Sequence, residues 1–228
     1  MSNASKPESK VVQPFSFTII YNQHFVGDQF ISGVRKGAAF FVLNLKTMLE
    51  KILRQRQSVR KYLDKPVEKE KIEALIEAVH LAPSACNSQP WKLIIVDDPE
   101  VKRQVAEASY GKGVNFNRFA REAPVIAVLV IEKGKLISRI GGRIKNQEYS
   151  QYDIGIAAAN FCLQATDIGL GTCILGWFDE KRIQQILGIP KRRKIGLLIT
   201  LGYAPEGYKL RQKIRKPIEQ IACFNAYE

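Results

Sequence analysis

Metal-ligating and cross-linking residues are scarce in this chain of 228 residues. It holds two histidines, His24 and His80, and four cysteines, Cys86, Cys162, Cys173 and Cys223, none of them in a C-x-x-C pair. Neither a metal centre nor a disulfide framework is expected, and the thiols suit a reducing cytoplasm. Long apolar runs are missing as well. The best, Val125 to Ile131 and Gly196 to Leu201, fall far short of the roughly 18 to 20 residues that span a bilayer, so no membrane partner is expected. Arg35-Lys36 followed by Gly37 to Leu45 has the charge order of a short signal core but begins too far in and lacks a small-residue cleavage site. The sequence contains no G-x-G-x-x-G, no Walker A motif, no G-x-S-x-G and no internal repeat, which removes the fingerprints of the Rossmann, P-loop and α/β-hydrolase chemistries.

What is abundant is positive charge. Lysines and arginines number 35 against 22 acids, a formal charge of +13. Residues 1 to 45 hold only four of the cations (Lys6, Lys10, Arg35, Lys36) and two acids (Glu8, Asp28), so the excess belongs to the remainder. There it gathers in Arg54 to Lys61, Lys191 to Lys194 and Lys209 to Lys216. No helix-turn-helix, zinc finger or aromatic RNA-binding motif accompanies these runs, so nucleic acid is not the expected partner. A phosphorylated small molecule or a solvated basic surface remains.

A hydrophobic content of 46% supports a packed core. The chain divides into an extension, residues 1 to 45, whose role the sequence leaves unknown, and a domain from 46 to 228. Thr47-Met48-Leu49-Glu50 reads as a capping box opening a helix to about Gln55. Pro66-Val67-Glu68 should open a second, with Ile72, Leu75, Ile76 and Val79 at helical spacing. Strands are expected at 92–96, 124–131, 172–175 and 195–201, and helices at 99–109, from near Asp153 to Gly169, and from Asp179 to Leu187, with a loop over 133–147. The class is α+β.

Four stretches carry chemistry. In Arg56-Gln57-Ser58-Val59-Arg60, two forked cations and a hydroxyl lie within one or two turns, a grouping suited to phosphate oxygens, although a solvated helix end reads the same way. Pro83-Ser84-Ala85-Cys86-Asn87-Ser88-Gln89-Pro90 is compact and offers two amides with matched donors and acceptors, which suits a flat heterocycle as well as it suits a turn. Cys86 is expected to be a small packing residue. Leu175-Gly176 ends a strand just before a capped helix, where backbone amides can face a ligand atom. Lys213-Ile214-Arg215 places two cations on one side of an extended segment.

Taken together and in this order, "RQSVR", "APSACNSQPWKLIIV", "DIGIAAANFCLQATDIGLGTCILGWFDE" and "LITLGYAP…KIRKPIEQI" closely resemble the nitroreductase family of FMN-dependent oxidoreductases, from about Leu49 to the C-terminus. The resemblance implies that family's fold, a central mixed, mainly antiparallel sheet flanked by helices, and a homodimer with FMN at the subunit interface. Arg56, Ser58, Arg60, Lys213 and Arg215 would hold the FMN phosphate and ribityl chain, with Gln57 also touching the cofactor and Arg60 near the N1/O2 edge. Pro83, Ser84, Ala85, Asn87 and Gln89 would contact the isoalloxazine from the other protomer. The backbone amides of Leu175 and Gly176 would face flavin N5 and O4. The implied reaction is hydride transfer from NADH or NADPH through N5 to a small-molecule acceptor in ping-pong order. Dehalogenation, enoate reduction, flavin fragmentation, azole oxidation or flavin binding without turnover are the alternatives.

Overall fold

The computed structural model describes residues 48–110 and 115–227; the expected extension and the cap at Thr47 lie outside them. Four strands form one sheet in the order β1-β2-β4-β3: β1 Trp91–Val96, β2 Val125–Ile131, β3 Gly171–Leu175 and β4 Lys194–Gly202. All three pairings are antiparallel. Beyond β3, a single parallel bridge joins Ser58 to Thr172, which makes the sheet mixed.

The central strands are buried on both faces, which is why β2 reads as an unbroken apolar run rather than an alternation. Val125, Ala127 and Leu129 join Ile199 and Leu201 in one core against α2 (Lys69–His80) and α5 (Tyr149–Asp167), centred on Leu75 and Phe161. Ile126, Val128, Val130 and Leu198 face the other way, against α3 (Pro99–Glu107) and α6 (Glu180–Ile186). Asp98 and Asp179 cap those two short helices by accepting from backbone amides one turn on. At the other end of α5, Gly169 takes φ +80 while Leu170 N–H donates to Ala165 O at 2.7 Å, a left-handed stop that glycine supplies without strain.

Three expectations are corrected. Pro66–Glu68 is not the first turn of α2. Glu68 stays extended as the cap residue, its carboxyl accepting from the Tyr203 hydroxyl and lying beside Lys71, and the helix starts at Lys69. Residues 133–147 are not a loop, since Leu136–Lys145 forms α4. The glycines and arginines that suggested irregular chain do not outweigh the i, i+4 recurrence of Leu136, Ile140 and Ile144. The third concerns 56–60. The first helix, α1 (48–55), ends before Arg56, so this segment runs extended along β3 instead of turning with the helix.

Candidate functional site

Extended backbone changes what the Arg56–Arg60 stretch can do. Residues two apart share a face in a strand, so Arg56, Ser58 and Arg60 line one side of it, a tighter grouping than the expected helical turns would give. Packing holds the segment there. Val59 N–H donates to Thr172 O at 2.8 Å, and the Val59 side chain lies so close to Gly171 that a Cβ there would come within 2.7 Å of it.

The C-terminal segment lies against the same stretch. Gln57 Nε2 donates to Lys209 O at 3.3 Å, and Arg211 N–H donates to Gln57 Oε1 at 3.1 Å. The Arg211 guanidinium donates to Ser58 O, and the Lys213 ammonium donates to Arg56 O. Arg60 N–H donates to the Tyr208 hydroxyl at 3.1 Å. Gln57, expected to touch a cofactor, is spent here on holding the two segments together.

The result is a concentration of cations without counter-ions. Among the described residues, none of Arg56, Arg60, Arg211, Lys213 and Arg215 forms an ion pair with a carboxyl group. The cost shows at Lys213, whose ammonium is held below the ordinary lysine range first by burial and then by Arg56 and Arg215. A cluster that repels its own members is arranged for an anion, and guanidinium forks suit phosphate oxygens. Arg211 was missed in the sequence as a separate residue. Its signal was there: Arg211, Lys213 and Arg215 alternate at period two and share one face of an extended chain.

Leu175 is the last paired residue of β3, opposite Leu198, with its side chain buried. The chain leaves the sheet at Gly176, where an added Cβ would meet no atom within 4 Å. That space is open to a ligand on the β3 side of the sheet.

The other expected half lies elsewhere. Ala85–Asn87 is a short 3-10 turn, and Cys86, Asn87 and Gln89 all have left-handed φ of 54°, 49° and 47°. Three non-glycine residues so placed within four positions store strain of roughly 1 to 3 kcal/mol each. Side chains hold the loop. Ser84 Oγ accepts from Gln89 N–H at 2.8 Å, Ser88 Oγ accepts from Lys135 N–H at 3.3 Å, and Asp153 Oδ1 accepts from Ala85 N–H at 3.0 Å. Asn87 and Gln89 meet each other, Gln89 Nε2 donating to Asn87 Oδ1 at 2.9 Å. Cys86 is exposed rather than packed, because the left-handed turn points it away from the core.

Within one chain these halves do not meet. The loop leads into β1 and the cations flank β3, at opposite edges of the sheet. Four inter-strand steps separate β1 from the Ser58 segment, roughly 19 Å in all. Along α5, Asp153 beside the loop and Cys162, whose thiol senses Arg56, are nine residues apart, a rise of about 14 Å. Either span exceeds the reach of an Asn or Gln side chain. Two clefts, one of ≈ 350 Å³ between Pro90 and Tyr149 and one of ≈ 760 Å³ beside α6, contain none of the clustered cations.

Comparison with known proteins agrees with this geometry. A family model described as "Nitroreductase family" matches residues 53–203. A protein of Thermus thermophilus named NADH dehydrogenase is 30% identical over 210 residues, covering 80% of this chain and 97% of that one. Rat iodotyrosine deiodinase 1 is 25% identical over 75% of this chain and 67% of its own length. Among solved structures, an FMN-dependent nitroreductase of Clostridium difficile superposes with a TM-score of 0.61 at 28% identity, covering 77% of this chain and 98% of that one. With the match running over well more than half of its length, this chain belongs to the nitroreductase family.

Proposed function

We propose that two copies of this chain bind FMN between them and use it to carry a hydride from NADH or NADPH to a nitroaromatic, quinone or similar small acceptor. By family the chain is an oxidoreductase that draws on NAD(P)H. The observation that carries the flavin reading is the cluster of Arg56, Arg60, Arg211, Lys213 and Arg215 around Ser58, cations with no carboxyl partner among the described residues, beside the open space at Gly176. FMN ends in a phosphate that such a cluster suits, and its isoalloxazine is the flat, hydrogen-bonding group that the loop suits.

Bound FMN would supply hydride acceptance and donation at N5, with donor and acceptor using one site in turn. The residues of this chain position and polarise. Arg56, Ser58, Lys213 and Arg215 hold the phosphate and ribityl chain by charge-assisted hydrogen bonds. The backbone amides of Leu175 and Gly176 face N5 and O4, and Arg60 lies near the N1/O2 edge, where positive charge favours the electron-rich ring. From the other copy, Pro83, Ser84, Ala85, Asn87 and Gln89 line the ring. Homodimerisation is also supported by the C-terminal segment, where Leu210, Ile214, Ile218, Ile221 and Phe224 are all exposed on the single chain. The FMN-binding domain is taken as 46–228, with 1–45 as an extension. Its four cysteines are free, which fits a cytoplasmic protein. No helix among the described residues is long and apolar enough to cross a membrane.

A second reading, reductive dehalogenation on the same flavin, is favoured by the likeness to rat iodotyrosine deiodinase 1. One experiment separates the readings. Protein purified with FMN should be yellow, bleach under anaerobic NADH or NADPH, and recover its colour on addition of a nitroaromatic or quinone. Halide release from an iodinated phenol, with no recovery on the other acceptors, favours dehalogenation. Protein that neither retains nor takes up FMN overturns both.

A further inference from the structure

Asp153 stands in the core-facing stripe of α5 with Ala157, Phe161 and Ala165, where an apolar side chain would pack without penalty. It is 4% exposed, and its carboxyl group is only half used. Oδ1 accepts from Ala85 N–H at 3.0 Å, while Oδ2 is buried with no hydrogen-bond partner. A buried polar atom left unpaired weakens a fold, so the stability of the domain does not account for this residue. Its one partner does. Ala85 opens the turn that carries Cys86, Asn87 and Gln89 in left-handed conformations, which non-glycine residues keep only when their surroundings impose them.

The geometry points to Asp153 as a positioning residue for the flavin-facing loop: its Oδ1 fixes the Ala85 amide and so sets the left-handed path that presents Asn87 and Gln89. The inference deepens the FMN reading and rests on it for the consequence, though not for the contact itself. Ser84 Oγ and Ser88 Oγ fix the far end of the same loop, through Gln89 N–H and Lys135 N–H, so the α5 carboxyl is the tie at the entrance. An amide side chain keeps an acceptor for Ala85, whereas a methyl group does not.

The test uses the full chain with Asp153→Ala and Asp153→Asn, read in three ways. Hydrogen exchange at 85–89 of the apoprotein should quicken about tenfold in Asp153→Ala and change little in Asp153→Asn. Flavin fluorescence titration should show FMN affinity falling by about tenfold or more in the alanine variant and recovering to within about threefold in the asparagine variant. The melting temperature of the alanine apoprotein should stay within about 3 °C of the parent, because the lost hydrogen bond is offset by removal of the unpaired oxygen. Unchanged exchange in Asp153→Ala overturns the inference, and so does a loss of affinity equal in both variants. If the alanine variant fails to fold, Ser84→Ala carries the same exchange and affinity measurements, and unchanged values there and in Asp153→Asn overturn the inference too. Should the parent protein itself take up no FMN, the FMN reading falls while the exchange result still decides the role of Asp153 in the loop.

Discussion

If the two halves of the site belong to different copies of the chain, inactivating lesions in each half should complement. The perturbation pairs Asn87→Ala with Gln89→Ala in one chain and Arg56→Ala with Arg60→Ala in the other, the chains carrying different affinity tags. The structure sets the expectation. Loop and cation cluster lie at opposite sheet edges, roughly 19 Å apart by strand spacing, so one chain cannot bring Asn87 to a phosphate held by its own Arg56. By two-fold symmetry a mixed dimer then holds one site with all four lesions and one with none. Each lost charge-assisted contact costs about 1.5 to 3 kcal/mol, and two of them lower affinity by at least about a hundredfold, so either homodimer should be nearly inactive at modest FMN concentrations. Heterodimers isolated through both tags, assayed for anaerobic acceptor reduction, should show about half of the parent activity. Activity no higher than the mean of the two homodimers would refute the reasoning and place the whole site within one chain.

Other consequences can be measured directly. Replacing Arg56 and Arg215 together by alanine should weaken FMN binding by at least about tenfold in fluorescence titration, and unchanged affinity would move the phosphate elsewhere. Lys213 adds a pH dependence. Its folded pKa is depressed, so the protonated ammonium destabilises the apoprotein at neutral pH, a penalty relieved as pH rises through that folded pKa towards the ordinary lysine range. FMN affinity runs the opposite way, strongest while Lys213 is protonated and falling as pH rises through its depressed value. Lys213→Met should leave the apoprotein equally or more stable, abolish that step in affinity, and weaken FMN binding. Gly202→Ala should destabilise by about 1 to 3 kcal/mol in urea unfolding, because its Cβ would lie 2.5 Å from the rigid Pro124 ring. Gly176→Ala, whose Cβ meets nothing in the single chain, should change stability by no more than about 0.5 kcal/mol yet weaken FMN binding if that space receives the flavin.

The sequence by itself determined much of the frame. Branched apolar runs announced β2 and β4, Asp98 and Asp179 announced their helices, and Gly169 announced the end of α5, because each of these signals is local and acts within one turn or one strand. The phosphate-seeking residues were legible as types, since guanidinium and hydroxyl chemistry travels with the residue. Tertiary structure decided their arrangement. Arg56 to Arg60 follow a helix and looked like its continuation, but pairing with Thr172 draws them out straight and puts alternate residues on one face. Arg211 and Lys213 become part of the same cluster only because the C-terminal segment lies 150 residues away in sequence and alongside in space. Asp153 looked like a helix-start residue. Its role depends on a loop 68 positions earlier, a contact that no local pattern encodes.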